Sequence, residues 1–290
     1  MNCLTFDNIK DFDLEHIFEC GQCFRWVPSG DGTGDYVGAA GSYAARISYD
    51  RNECRLRIEA TGGDEAFWSR YFDLKTDYSA IMEELKAGEP KMAEALNYGC
   101  GIRILNQGLF ETVISFIISQ NNNIPRIRKC IETICRRYGE YIGEVSGREW
   151  YAFPRPEVLA EADVDDLMSL KLGYRSGYIK AASEKFVEDS NAGRLPRERA
   201  DILCYRGVGP KVANCIMLFG LRQTDAFPID TWVKQIMNDM YGFEESDIKG
   251  MEGFAREKFG SLAGYAQQYL FYYYRDNSLH NGVDNTGKHE

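Results

Sequence analysis

The chain has 290 residues and a mass of 33.1 kDa, with 44% hydrophobic and 27% charged residues, a composition typical of a globular protein with a buried core. It contains no apolar run of about 18 residues and no basic-then-apolar N-terminal order, so we expect neither a membrane span nor a secretory signal. The net charge of −10 disfavours DNA binding without excluding it, because residues 126–137 concentrate five basic side chains against one acid.

The predicted elements change character along the chain. Up to residue 60, short aromatic or β-branched runs separated by turns predict antiparallel strands over 23–27, 35–39, 42–49 and 54–58. From about residue 77, helical spacing predicts helices over 78–86, 90–98, 109–119, 125–138, 156–160, 164–169, 176–189, 197–205, 211–220, 231–241, 251–259 and 262–274. The fold class is therefore α+β with segregated parts.

We divide the chain into three parts. Residues 1–100 form an N-terminal β-rich domain, and residues 101–275 form a helical region. Residues 276–290 are poor in apolar side chains, and we expect a flexible tail there. Nine scattered cysteines favour reduced thiols and a cytoplasmic location.

One segment late in the chain combines a glycine hairpin, a lysine and an aspartate. Gly207-Val208-Gly209 can turn the backbone tightly and bring N–H groups close to a phosphate. Lys211 follows where an apolar helix should begin, and Asp230 precedes the next apolar run, as an N-cap does. The arrangement indicates a site that combines phosphate binding with an amine and a carboxylate.

The amine and the carboxylate suggest a shared reaction. A nucleophilic lysine must be neutral, and both a helix N-terminus and apolar neighbours disfavour the ammonium form of Lys211. Asp230 would stabilise positive charge that develops on a substrate and help to deprotonate the lysine. The alternatives are a solvated lysine that pairs with phosphate, and an aspartate that only caps a helix.

Together these residues resemble the helix-hairpin-helix, Gly/Pro…Asp signature of base-excision DNA glycosylases. In that superfamily the lysine marks the branch that also cleaves the strand. The resemblance implies that the hairpin grips a phosphate and that the carbonyls of Leu203, Tyr205 and Val208 can hold a monovalent cation. The sequence departs from the pattern at Arg206, where the motif usually has proline, and at Trp232, where it usually has a phosphate-binding histidine.

Residues 21–26, GQCFRW, resemble an element of the 8-oxoguanine DNA glycosylase/lyases. In that family the carbonyl of the glycine that matches Gly21 accepts the N7–H that only the oxidised base carries. Residues 263–271, AGYAQQYLF, resemble the family's base-pocket helix, so that Gln267 would read the base edge and Phe271 would stack on its face. Cys215, one turn after Lys211, would close the opposite wall. A turn glycine and ordinary core aromatics are the alternatives.

Two further segments resemble the part of the family's site that faces the opposite strand. Residues 115–126, SFIISQNNNIPR, imply that Asn121 and Arg126 bond the unpaired cytosine. Residues 172–178, LGYRSGY, imply that Tyr174 wedges into the gap left by the flipped base and that Arg175 also bonds the cytosine. A helix cap and a loop-to-helix junction are the alternatives.

The resemblance covers about residues 15–275 and implies a bifunctional 8-oxoguanine glycosylase/lyase. Its partner would be double-stranded DNA with oxidised guanine, and no redox or metal cofactor is expected. Cys20 and Cys23 lack a second pair at metal spacing, and no cysteine follows Cys215 to hold an iron–sulfur cluster. A monomer is the default expectation. Alternatives are a glycosylase for another, alkylated base and a non-catalytic helix-hairpin-helix DNA-binding protein.

Overall fold

The computed structural model describes residues 1–280. Over these residues the strands are β1 (Asn2–Phe6), β2 (Trp26–Pro28), β3 (Tyr36–Ala40), β4 (Tyr43–Asp50), β5 (Arg55–Ala60), β6 (Tyr141–Val145) and β7 (Arg148–Tyr151). The helices are α1 (Leu14–Glu19), α2 (Glu65–Tyr71), α3 (Tyr78–Gly88), α4 (Ala93–Tyr98), α5 (Leu109–Ser119), α6 (Ile124–Tyr138), α7 (Pro156–Glu161), α8 (Val164–Leu167), α9 (Arg175–Asn191), α10 (Arg199–Leu203), α11 (Pro210–Gly220), α12 (Thr231–Tyr241), α13 (Ile248–Phe259) and α14 (Ala263–His280). The α+β prediction is confirmed.

The N-terminal sheet is antiparallel, with strand order β1-β5-β4-β3-β2. Its apolar face packs on α1 and α2 through large aromatic side chains. Phe18 and Trp26 stack with ring centroids 4.7 Å apart, and Trp68 and Phe72 are fully buried beside them. Such large aromatic side chains bury much apolar area each, so this sheet can hold its own core.

A second and larger core lies among the helices. α5 is apolar on nearly every face, and its Phe116 stacks on Phe219 of α11 with centroids 5.4 Å apart. Tyr78 and Met92 also pack in this core, so α3 and its following turn join the helical part although they fall within residues 1–100. Segments on both sides of residue 100 therefore contribute to the helical core.

α14 closes the helical core and extends past the predicted helix end. It runs to His280, so the first five residues of the predicted tail, 276–280, are helical, while residues 281–290 lie outside the described part. Over the described residues, no helix is long and apolar enough to cross a membrane.

A two-stranded hairpin, β6–β7, follows α6 and packs on the sheet. Val145 and Trp150 are buried against Val37, Ala39 and Ala44. The hairpin was not among the predicted strands. The hairpin therefore contacts both the sheet, through β4, and α6.

Candidate active site

The glycine hairpin connects α10 to α11 with a tight turn. The Val208 N–H donates to the Tyr205 carbonyl at 3.0 Å, and Gly207 has φ +87°. A Cβ on Gly207 would lie 2.6 Å from ring carbons of Tyr178, so only glycine fits. Because the Val208 N–H is bonded inside the turn, the predicted phosphate contact falls to the neighbouring backbone groups of Gly207 and Gly209.

Lys211 lies in the first turn of α11 among aromatic rings. Its Nζ is 5.7 Å from the centroid of Phe116. Phe116 is itself held between Phe219 and the edge-on ring of Phe24, whose centroid is 5.9 Å away. Cys215, one turn further along α11, hydrogen-bonds Lys211. The predicted proximity of Lys211 and Cys215 is thus present.

The surroundings of Lys211 act on its pKa in two opposing directions. Burial lowers the pKa of Lys211, but the charges of Cys215 and Asp230 raise it by more, so the net pKa lies above its ordinary value. Burial also raises the pKa of the Cys215 thiol. The apolar surroundings of Lys211 therefore act in the expected direction and its two neighbours oppose them, and the neutral amine stays a prediction.

Asp230 is both the N-cap of α12 and a member of the site. Its Oδ1 accepts the Val233 N–H at 2.9 Å, and the Trp232 N–H also contributes. Burial raises the pKa of Asp230, while Lys211 and these N–H groups lower it, and the net pKa is raised. A carboxylate with a raised pKa is a stronger base than an exposed aspartate, which suits it to take a proton from Lys211.

Gly21 and Phe271 meet, although 250 residues separate them in the chain. Gly21 has φ +79°, and a Cβ there would lie 3.3 Å from Phe271 Cε1. The next residue, Gln22, fastens this loop by donating to the Ile17 and Arg103 carbonyls at 2.9 and 2.7 Å. The two residues assigned to reading and stacking the base therefore border one another, Gly21 on a fixed loop and Phe271 on α14.

Gln267 is buried on the same helix as Phe271. Its Oε1 accepts the side-chain N–H of Gln268 at 2.9 Å. On the Phe271 ring, the Arg275 guanidinium lies 5.4 Å from the centroid and also donates to the Glu19 carbonyl. Gln268 and Arg275 were not predicted. Their contacts hold the two predicted pocket side chains in place.

The residues assigned to the opposite strand divide into exposed and buried ones. Asn121 and Arg126 are exposed, and Asn121 has φ +49°. Tyr174 is 57% exposed at the start of α9, as a wedge must be. Arg175 is buried, and its guanidinium donates to the carbonyls of Gln120 and Asn121. Arg175 thus supports the loop that carries Asn121.

The carbonyls assigned to a monovalent cation are those of Leu203, Tyr205 and Val208. Leu203 is the last residue of α10, and Tyr205 and Val208 lie on the turn that follows it. The Tyr205 carbonyl keeps a second lone pair beside the one used by the Val208 N–H. Neutral carbonyl oxygens are ligands that hard cations accept. The donor set fits such an ion, and the site stays a prediction.

The two departures from the motif flank the site. Arg206 is exposed and lies 5.9 Å from the Tyr178 ring centroid, beside the hairpin. Trp232 is partly buried and contributes its backbone N–H to Asp230. The altered side chains therefore leave the hairpin turn and the Asp230 cap intact.

The cysteine pair near Gly21 is not arranged as a metal site. Cys20 and Cys23 are buried, and burial raises the pKa of Cys20 to about 12. Within residues 1–280, no group of three His, Cys, Asp or Glu side chains could hold a metal ion. The thiols instead pack in the two cores.

Comparison with known proteins places the chain among DNA repair enzymes. Residues 5–113 match the model of the 8-oxoguanine DNA glycosylase N-terminal domain, and residues 114–261 match that of HhH-GPD superfamily base excision DNA repair proteins. A probable N-glycosylase/DNA lyase of Methanothermobacter thermautotrophicus is 34% identical over 72% of this chain and 74% of its own length. The N-glycosylase/DNA lyase of Saccharomyces cerevisiae is 27% identical over 91% and 84%.

A solved structure extends the likeness to the fold. It is the Clostridium acetobutylicum 8-oxoguanine glycosylase/lyase in complex with double-stranded DNA containing cytosine opposite 8-oxoguanine. It matches with a TM-score of 0.86 and 38% identity, covering 96% of each chain.

Proposed function

Because the chain belongs to the HhH-GPD superfamily of base excision DNA repair proteins, we propose that it is a bifunctional enzyme that excises 8-oxoguanine opposite cytosine and then cleaves the strand. The observation that carries this proposal is that Lys211 and Asp230 share one half-buried site and are close enough for each charge to shift the pKa of the other. A non-catalytic DNA-binding module has no use for a lysine whose charge is opposed by a carboxylate, since a lysine that binds phosphate needs its full charge.

The reaction begins with a flipped base. Extrusion from the duplex costs on the order of a few kcal/mol, which the wedge and the pocket offset. The base stacks on Phe271, and its N7–H donates to the Gly21 carbonyl. Ordinary guanine has a lone pair at N7, so its N7 and the Gly21 carbonyl oxygen would both be hydrogen-bond acceptors and could not bond each other. The difference of one hydrogen therefore separates the lesion from the normal base.

The chemical step needs the proton of Lys211 to leave first. Asp230, whose pKa is raised by burial, is the base placed to accept it. The neutral Nζ of Lys211 attacks C1′ of the sugar, and the C1′–N9 bond breaks with its electron pair passing to the leaving base. Asp230 opposes the positive charge that develops on the sugar.

Strand cleavage follows from the bond that Lys211 has formed. The sugar ring opens to a Schiff base between Nζ and C1′, which makes the C2′ proton acidic. Loss of that proton and of the 3′ phosphate is a β-elimination that nicks the strand 3′ to the lesion. Hydrolysis of the Schiff base then restores Lys211.

The remaining assignments concern binding. Asn121, Arg126 and Arg175 favour cytosine opposite the lesion, Tyr174 fills the gap, and the hairpin amides at Gly207 and Gly209 hold a phosphate. DNA as the substrate and nine unpaired thiols support a cytoplasmic location, and one active site per chain is consistent with a monomer.

The test is single-turnover cleavage of duplexes that carry 8-oxoguanine opposite each of the four bases, beside a duplex with an alkylated adenine. We expect cleavage of the 8-oxoguanine strand, fastest opposite cytosine, and its loss in Lys211→Gln. Lys249→Gln is the matched control, because Lys249 is also the second residue of a helix but is exposed. Release of the alkylated base alone supports the other glycosylase class, and binding without excision supports a DNA-binding module.

A further inference from the structure

We propose that Gln120 is a positioning residue that couples the loop facing the opposite base to the hairpin that precedes Lys211. This inference rests on the proposed function, in which the loop at Asn121 faces the opposite base. Its evidence is a chain of hydrogen bonds that joins three elements of the DNA-facing surface, and Gln120 lies at their meeting point.

The first link runs from Gln120 to the hairpin. Gln120 follows α5, and its side-chain Nε2 donates to the Gly207 carbonyl at 2.8 Å and to the Ile117 carbonyl at 3.3 Å. Gly207 has the left-handed φ of +87° and packs closely against the Tyr178 ring, and the bond from Gln120 holds its carbonyl in this arrangement. Gln120 therefore fixes the asparagine loop and the hairpin relative to each other.

The second link runs from Gln120 to α9. The backbone carbonyls of Gln120 and Asn121 both accept from the Arg175 guanidinium, with Nε to Gln120 at 3.1 Å and Nη2 to Asn121 at 3.0 Å. Between these carbonyls, Asn121 has φ +49°, a conformation that costs a non-glycine residue energy and persists only where neighbours enforce it. Arg175 supplies that enforcement from a buried position.

The wedge is attached to the same unit. The Arg175 guanidinium lies 4.6 Å from the Tyr174 ring centroid, and Tyr174 meets Tyr178 edge-on with centroids 5.8 Å apart. Tyr178 is the ring that packs against Gly207 and leaves no room for a Cβ there. The contacts thus form a closed circuit from Gln120 through Arg175 and the two tyrosines to Gly207, and back to Gln120.

The circuit has a functional consequence. A base that hydrogen-bonds Asn121 restrains a loop whose backbone carbonyls are already bonded to Arg175. The neighbouring residue in that loop, Gln120, is bonded to the hairpin. Gly207 is four residues before Lys211, so the reading of the opposite base reaches the nucleophile's helix through one amide side chain. Arg175 keeps Nη1 available for the cytosine while Nε and Nη2 hold the loop.

The experiment measures amide hydrogen exchange in residues 207–213 of the full chain bound to a duplex with a tetrahydrofuran abasic analogue, opposite cytosine or adenine. We expect wild-type exchange to be about fivefold slower opposite cytosine than opposite adenine, because the coupling passes through one hydrogen bond worth about 1 kcal/mol. Gln120→Met, which keeps the length and removes the donor, should abolish the difference. Gln223→Met is the matched control, since Gln223 also donates to a backbone carbonyl, that of Arg197, and it should retain the difference.

Two results overturn the proposal: a wild-type hairpin that exchanges equally opposite both bases, or a Gln120→Met hairpin that keeps the wild-type difference. If the methionine variant does not fold, Gln120→Glu keeps the shape, lacks a donor, and must give the same loss. The duplex carries no base to excise, so this readout is separate from glycosylase activity. Failure to excise 8-oxoguanine refutes the proposed function alone.

Discussion

Replacing Gly207 by alanine should destabilise the protein far more than the same change at Gly209. At Gly207 the added Cβ meets a φ of +87° and lies 2.6 Å from two ring carbons and 2.9 Å from Cβ of Tyr178. The left-handed backbone conformation costs alanine about 1–2 kcal/mol. The added Cβ also overpacks against Tyr178 at atoms close to the Tyr178 backbone, which costs about 1–3 kcal/mol. We therefore expect Gly207→Ala to lower the free energy of unfolding by about 2–5 kcal/mol.

Gly209 lies two residues away in a different environment. It is the N-cap of α11 with φ −95°, and a Cβ there meets no atom within 4 Å. The gain of about 0.4–1 kcal/mol from a stiffer unfolded chain is offset by alanine being the poorer N-cap, so the net change should stay within about 0.5 kcal/mol.

Urea denaturation of both variants measures these free energies, and thermal unfolding should show a melting temperature lowered by at least about 4 °C in Gly207→Ala only. Adding Tyr178→Ala to Gly207→Ala removes the two ring contacts and leaves the backbone part and the Cβ contact, so at least about 1–2 kcal/mol of the loss should remain after correction for Tyr178→Ala alone. Equal destabilisation at Gly207 and Gly209 refutes the reasoning, and so does a Gly207→Ala change below about 0.5 kcal/mol.

Three further outcomes follow from the site. Gly21→Ala should cost about 1 kcal/mol of stability and slow excision about tenfold in single-turnover assays, because its Cβ presses on Phe271. Gly30→Ala is the control, since Gly30 has φ +80° and open space around it. It should cost the same stability without slowing excision. Asp230→Asn and Asp230→Ala should both slow excision by about 100-fold, but only alanine loses the helix cap, so denaturation should show alanine about 1 kcal/mol less stable than asparagine. The rate of Schiff-base formation at a preformed abasic site should rise with pH, because the pKa of Lys211 is raised and its ammonium must be deprotonated. In Asp230→Asn burial lowers the pKa of Lys211, so the rise in rate should move to lower pH. A pH–rate profile that does not move contradicts the charge pairing of Lys211 with Asp230.

Local patterns predicted much of the fold. The helix predicted over 231–241 has the bounds of α12, because Asp230 caps its start and Gly242, at φ +74°, ends it in the left-handed conformation. The missed elements are short. α1 and α2 have six and seven residues, too few for helical periodicity to be visible, and β6–β7 turns through only Ser146 and Gly147.

The site depends on contacts that distance along the chain conceals. The proximity of Gly21 and Phe271 came from family resemblance, since nothing local to either residue indicates the other. The helix N-terminus before Lys211 is visible in the sequence, whereas Cys215 and Asp230, which raise the pKa of Lys211, act on it only in the folded protein. Gln120 was overlooked for the same reason: its partner, Gly207, is 87 residues away.

The central claim is that Lys211 forms a covalent bond to the sugar of the lesion. Incubation with a duplex containing 8-oxoguanine opposite cytosine, followed by borohydride reduction and mass spectrometry of the digested protein, tests it directly. The account predicts a stable protein–DNA adduct on the peptide that contains Lys211, and none with Lys211→Gln. Wild-type protein that excises the base without forming an adduct, or an adduct that persists in Lys211→Gln, contradicts it.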